Sequence, residues 1–173
     1  MTHMKAFIPE LIDLPDRKVL TITSVGDPNI VGASIFGPLY GTAYSTKFKT
    51  FKPRGIKMEL GKLTALWPDA HSKPKDKWTG IWAIPVPDYV TESDIVQKDN
   101  KNPIKLDVWQ GGTYAQILHK GTYAEEGPSI VKLHEFIESK GVKMANIPGT
   151  HEEEYLTSPD AKEVKTIIRY RII

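Results

Sequence analysis

The chain has 173 residues, 40% of them hydrophobic and 25% charged, which is ordinary globular composition and long enough for one domain with a real core. Its formal net charge is only +2, with Lys and Arg spread along the chain, so no electrostatic footprint argues for nucleic acid or an anionic membrane. There is no cysteine, which excludes disulfides, thiolate zinc sites and cysteine nucleophiles. No leader-like or membrane-length apolar run is present either, so the expectation is a soluble cytoplasmic protein.

Residues 1–17 are mixed and Pro-punctuated and read as an arm. Val19 to Val25, VLTITSV, alternates like a strand and stops at the turn residues Gly26-Asp27-Pro28-Asn29. A helix follows over about Ile30 to Phe48. Val31, Ile35, Leu39 and Ala43 make its buried stripe, with Phe36, Tyr40 and Tyr44 beside it. Pro38 either kinks this helix or starts it. Lys57 to Trp67 reads as a strand with Gly61 at a bulge, Pro68 to Lys77 as a polar loop holding His71, and Trp78 to Val86 as the returning strand. Thr91 and Asp94 are spaced as a helix cap, opening a short helix that ends near Asp99 to Pro103. Ile104 to Trp109 and Tyr114 to Lys120 are further strands. Glu125, Glu126 and Pro128 suit a helix start. Ile130, Leu133 and Ile137 give that helix its buried stripe, and Gly141 stops it. After a loop to Pro148 come the strand GTHEEEYL, Gly149 to Leu156, and a last strand, Val164 to Ile173.

Val19 to Gly26 and Tyr114 to Gly121 match as strand-then-glycine segments. Each leads into a helix, a Pro/Gly loop and two strands. The expected fold is α+β: two βαββ repeats related by a pseudo-twofold axis, an antiparallel sheet carrying two main helices, and a central ligand cleft at the axis. The first repeat spans about 18–88, the connector 89–112 and the second repeat 113–173, all within one domain.

GTHEEEYL is the most unusual stretch, because Glu is depleted in strands. Strand alternation puts Glu153 and Tyr155 on one face and Glu152, Glu154 and Leu156 on the other. If Leu156 faces the core, Glu153 looks into a groove or solvent. Its two neighbours are expected to be solvated or paired with groups such as Arg169. His151 and Glu153 share a face but supply two ligands where a catalytic zinc wants three, so no metal is expected. Trp67, Trp78 and Trp82 default to core packing, as do Tyr40 and Tyr44. Trp67, at a strand end, and Tyr40 are the candidate ligand contacts among them. His119 defaults to a hydrogen-bonded structural role. Glu125 and Glu126 serve the helix dipole, and one could double as a second carboxylate near Glu153.

Several segments together carry a family likeness: GDP before a helix with LYGTAYSTKF, then LTALW, then a strand ending in PDYVTESDI, and in the second half AQILHKGTYAEEGPSI, HEEEYL and KTIIRY. In this order the sequence resembles the stand-alone GyrI-like small-molecule-binding family. The same domain forms the effector-binding half of AraC-type and MerR-type regulators and is similar in fold to the SOUL haem-binding proteins. The resemblance implies a cleft with a glutamate among aromatic rings that binds hydrophobic, often cationic or electrophilic, compounds. The family's glutamate falls on Glu153, its tyrosine on Tyr123 and its tryptophan on Trp67. Some stand-alone members are hydrolases that open the cyclopropane of DNA-alkylating compounds. On that reading Glu153 and Tyr123 are catalytic, and Trp67, Tyr155, Tyr40, His119 and Glu125 bind the ligand. No cofactor is expected; the partner is a small molecule, and the chain is a monomer or homodimer. The regulators' DNA-binding helix-turn-helix is missing, so no direct nucleic-acid contact is expected. A gyrase-inhibitor-like protein contact is the third reading.

Overall fold

A computed structural model of the chain describes residues 4–145 and 151–173. Gly149 and Thr150 of the acidic stretch, with the loop at Pro148, lie outside the described residues. Gly26 and Gly121 close the first long strand of each half with φ of 136° and 133°. Side chains avoid this backbone region and glycine does not. The matching pair marks the same turn made twice, each time into a helix.

The elements in chain order are β1 (Glu10–Leu14), β2 (Arg17–Val25), α1 (Pro28–Ser45), β3 (Thr64–Leu66), β4 (Thr79–Pro85), β5 (Lys105–Trp109), β6 (Gly112–Lys120), α2 (Gly127–Ser139), β7 (His151–Tyr155) and β8 (Lys165–Arg171). The strands form one antiparallel sheet in the order β1-β6-β8-β7-β3-β4-β2-β5. The order is a palindrome about the β3–β7 seam when β2-α1-β3-β4 is superposed on β6-α2-β7-β8. This is the expected pair of βαββ repeats. The outer strands add an exchange: β1, which leads into the first repeat, pairs with β6 of the second, and β5, which leads into the second, pairs with β2 of the first.

α1 begins at Pro28, not at Pro38. The Asp27 side chain caps it by accepting the Asn29 N–H at 2.9 Å, and Pro28 suits a first-turn position whose N–H has no partner to lose. The helix runs through Pro38 and widens into a π-helical turn at Thr46–Phe51. Ile35, Leu39 and Ala43 are buried as the spacing predicts. They pack on Leu20, Trp82 and Ile84 of the sheet. α2 seals the other half with Leu133 and Ile137 on Ala115, Ile117 and Ile168. Both helices lie on one face of the sheet. The sheet curls, so its reverse face is also closed, around Val19, Ala83 and Trp109.

Three expectations change. The arm contains a strand, β1. The strand expected over Lys57 to Trp67 shortens to Thr64–Leu66, because the preceding residues touch the sheet only through separate bonds, Gly61 N–H to Pro85 O at 2.8 Å and Tyr155 N–H to Leu63 O at 2.9 Å. The Thr91–Asp94 cap forms but opens only one 3-10 turn, Glu92–Asp94. The backbone N–H groups of Val96 and Lys98 instead donate to the hydroxyls of Thr46 and Thr42. α1 and the π-helical turn that follows it have taken the donors a longer helix would have used.

The reverse face of β7 holds a buried ion triad. Glu152, 1% exposed, accepts two bonds from Arg17, both 2.8 Å, and one from Arg169 at 2.7 Å. Arg169 also donates to Gln116 Oε1, and Arg17 lies over the Trp109 ring at 5.5 Å. Burial alone would raise the Glu152 pKa, but the two guanidiniums outweigh it and hold the carboxyl below its ordinary range. Removing one partner of such a set strands two buried cations. Glu152→Ala is therefore expected to lower unfolding stability by about 3–5 kcal/mol in urea denaturation. A loss below about 1 kcal/mol would show that the triad does not hold the sheet together.

Candidate functional site

The two halves meet along β3 and β7, where Ala65 stands opposite Glu153. Trp67 N–H donates to His151 O and Tyr155 N–H donates to Leu63 O, each at 2.9 Å. These reciprocal bonds make Trp67 the twin of Tyr155, and Ala65 the twin of Glu153. Above the seam, between α1 and α2, lies a cleft of about 1430 Å³. That exceeds the ~300–1,000 Å³ of ordinary ligand pockets and leaves room for a multi-ring compound.

One wall is aromatic. Trp67 meets Trp82 edge-on at 5.1 Å and Trp78 at 5.9 Å. Phe36 of α1 meets Trp82 edge-on at 5.3 Å. Gly80 permits this packing: a Cβ there would stand 2.8 Å from Trp82 Nε1 and 2.9 Å from the Trp67 ring. Tyr155 continues the series, nearly parallel to Trp82 at 6.3 Å, and Tyr123 meets Tyr155 edge-on at 5.7 Å. Tyr40 and Tyr44 form the lip, their rings nearly parallel at 6.4 Å. Their helical spacing suggested core, but the structure leaves them facing the cleft and solvent.

The floor is polar and centred on Glu153, which is buried. Tyr155 donates its hydroxyl to Glu153 Oε2 at 2.8 Å, and His151 Nε2 meets Glu153 Oε1 at 3.0 Å. His151 Nδ1 meets the Tyr170 hydroxyl at 2.6 Å. A proton on Nε2 satisfies both contacts, with Tyr170 donating to Nδ1 and His151 donating to Glu153. Burial opposes the Glu153 charge, yet bonds from His151, Glu126 and Tyr155 together hold its pKa below the ordinary value. Glu126, at the start of α2, is the second carboxyl. Burial, and then the Glu153 carboxylate, push its pKa up to about 10. At neutral pH the pair thus carries one proton and one negative charge. Tyr170 and Tyr155 are both held protonated, by burial first and by Glu153 second. The Trp67 indole N–H has the Tyr155 hydroxyl as its neighbour without meeting it in hydrogen-bond geometry.

Glu153, Tyr123, Trp67, Tyr155 and Tyr40 all line the cleft. His119 and Glu125 do not. His119 is buried under α2, where its Nε2 donates to Thr122 O at 2.9 Å and its Nδ1 meets Ser129 Oγ at 2.7 Å. Glu125 caps its own turn by accepting the Thr122 N–H at 3.0 Å. The signal was present in Thr122-Tyr123-Ala124-Glu125, a capping-box spacing that assigns Glu125 to the backbone. That leaves Glu126 as the acid beside Glu153. His151 and Tyr170 complete the floor and were not singled out as ligand contacts. They pair across β7 and β8, a register the sequence does not print. Among the described residues no cluster of three His, Asp or Glu has the geometry of a metal site, and no helix is long and apolar enough to cross a membrane.

The cleft between the two repeats has the size and the apolar, aromatic lining of a small-molecule site. The profile of the GyrI-like small molecule binding domain matches residues 8–172, and the chain belongs to that family. Among solved structures it is similar to a hydrolase from Listeria innocua, at 22% identity and TM-score 0.79 over 97% of this chain and 93% of that one. It is also similar to the EcmrR C-terminal domain, at 17% identity and TM-score 0.66 over 96% and 97%, and to SAV2435 bound to tetraphenylphosphonium, at 12% identity and TM-score 0.57 over 96% and 94%. At these identities the likeness is one of fold. No curated protein sequence matches the chain.

The raised pKa of Glu126 has a pH signature. The folded state keeps a proton that the unfolded chain releases above the ordinary carboxyl range, so this group's favourable contribution is complete at low pH and declines as pH rises toward about 10. Glu126→Gln, neutral throughout, is expected to gain stability relative to the parent protein as pH is raised from about 5 to about 9. Chemical denaturation across that range checks this. A difference that stays constant with pH would show that Glu126 ionises normally.

Proposed function

We propose that the cleft holds a hydrophobic cation among its rings and that Glu153 is the counter-charge. One observation carries this reading. Glu153 is a buried carboxylate that, among the described residues, meets a histidine but no Lys or Arg within ion-pair distance. Buried charges are normally paired, and a ligand cation would supply what the protein does not. The surrounding aromatic faces would add cation–π attraction of about 0.5–2 kcal/mol each, largest where water is excluded. Tetraphenylphosphonium, the compound bound by SAV2435, is an apolar cation of this type. Glu153→Gln should weaken tetraphenylphosphonium binding at least tenfold in calorimetry, and binding of the neutral triphenylphosphine oxide less than threefold. Equal losses for the two compounds would remove the charge role.

A second reading is hydrolysis of strained cyclopropane electrophiles, and the carboxyl pair favours it. An acid and a base with pKa values pushed apart by their surroundings are what general acid–base catalysis needs. Glu153 takes a proton from water as the water oxygen bonds to a cyclopropane carbon. The ring C–C bond breaks, and its electron pair runs into a conjugated carbonyl. That carbonyl oxygen takes its proton from Glu126 and accepts a hydrogen bond from the Tyr123 hydroxyl, which lines the same cleft. Water is added overall, and the proton count of the pair is unchanged. A hydrolase shares the fold. Incubation with a cyclopropane-bearing dienone alkylator should give the water adduct by mass spectrometry at a rate that falls at least a hundredfold in Glu153→Gln. Product formation no faster than in buffer would count against turnover and leave binding as the function.

A further inference from the structure

The carboxylate of Glu153 is bonded to a base. His151 Nε2 lies 3.0 Å from Glu153 Oε1, and His151 Nδ1 lies 2.6 Å from the Tyr170 hydroxyl. In the neutral ring both bonds run one way, Tyr170 donating to Nδ1 and Nε2–H donating to Glu153. His151 and Glu153 together then carry one negative charge. A second proton on the ring would turn the bond to Glu153 into an ion pair and bring that sum to zero. Both nitrogens of an imidazolium are donors, so the Tyr170 oxygen would also have to accept. The His151 side chain is 17% exposed and lines the cleft, so solvent protons and a ligand reach it from the same side.

The titratable groups sharing this part of the cleft are Glu153 and Tyr155 on β7, Tyr170 on β8, Glu126 and Tyr123 on the turn before α2, and His134 on α2. β3 contributes Trp67, which does not titrate. Lys62, His71 and Lys75 belong to the exposed rim of the first half. Between about pH 5 and pH 8 most of the inner groups hold one charge state. Bonds keep Glu153 ionised, burial and Glu153 keep Glu126 protonated, and the three tyrosines stay neutral. The two histidines remain. They flank one ring: His151 meets Tyr170 edge-on at 5.1 Å and His134 at 5.0 Å. Desolvation, and then His151, favour the neutral form of His134. Only His151 bonds to Glu153.

We propose that the cleft exchanges a proton for its ligand: a cation binds beside Glu153 when His151 is neutral and is released when His151 is protonated. The inference rests on the cation-binding reading and adds regulation to it. An imidazolium occupies the one negative charge and repels a second cation in the same space. The coupling is reciprocal, so cation binding to the protonated form sends one proton from His151 to solvent.

Titration calorimetry with tetraphenylphosphonium at several pH values tests this, with thermal melting to show that the protein is folded at each. Its permanent charge does not titrate. The affinity should fall about tenfold from about pH 8 to about pH 5, while that of neutral triphenylphosphine oxide changes less than about twofold. His151→Gln keeps an N–H donor but takes up no proton. Whatever its absolute affinity, its ratio between the two pH values should shrink to about twofold or less. His134→Gln should keep the tenfold ratio. Should the His151 variant not fold, calorimetry of the parent protein near pH 6 in buffers of different ionisation enthalpy decides, since proton release makes the observed heat depend on the buffer. A cation affinity that is flat with pH overturns the exchange while the cation-binding reading survives. So does an equal fall for the neutral compound, a ratio that persists in His151→Gln, a ratio lost in His134→Gln, or a heat independent of buffer. If tetraphenylphosphonium binds at no pH, both readings fall together.

Discussion

The Arg17–Glu152–Arg169 triad fixes what the rest of the site depends on. In a strand, adjacent side chains point to opposite faces, so the anchoring of Glu152 on the reverse face and the aim of Glu153 into the cleft are one geometric fact. A slip of one residue in β7 would exchange them. Such a slip would strand two guanidiniums and leave Glu153 in the wrong layer. Arg17 comes from the start of β2 and Arg169 from the middle of β8, so the register of β7 is set from both halves at once. The acidic run is costly as strand sequence but well specified as a register lock. Its third member, Glu154, sits 3.4 Å from Arg169 on the same side as Glu152.

On the cleft side the problem is the reverse: a carboxylate must stay charged without a guanidinium. Three hydrogen-bonding groups achieve this, and the choice matters chemically. Arg beside Glu153 would cancel its charge, whereas Tyr155 and His151 stabilise it and leave it available. Glu126 keeps the balance by remaining protonated, since two charges in so dry a space would repel strongly. The aromatic wall completes the setting. It lines the cleft with apolar surface, where an interaction made by the single charge is less screened than in bulk water.

How much of this was legible in the sequence depends on the range of each determinant. Strand–glycine–helix punctuation is local, and it correctly gave the duplicated fold, both helices and the central sheet. Alternation is also local, and it placed Glu153 and Tyr155 together. β1 was not legible, because ELIDL is short and acquires its strand character only by pairing with β6. The residues before Thr64 look like a strand by composition, but Gly61 and Leu63 make one sheet bond each on different neighbours, and no continuous ladder forms. His151 and Tyr170 are nineteen positions apart and meet through the β7–β8 register, which residue types alone do not fix. Glu125 and Glu126 differ by one position and have opposite roles. The deciding clue was the capping spacing to Thr122, which is local and readable once the turn is taken seriously.

The exchanged outer strands bear on mechanics. β1 and β5 each tie one half to the other through five residue pairs, whereas β3 and β7 meet through three. The seam under the cleft is therefore a shorter join between the halves than either strap, and the two straps run along the outer edges of the sheet. Forces that pry the helices apart load the straps, not the seam. The halves are joined like two boards bound at both rims with a crease between them, so a change in the width of the cleft would bend the sheet along that crease.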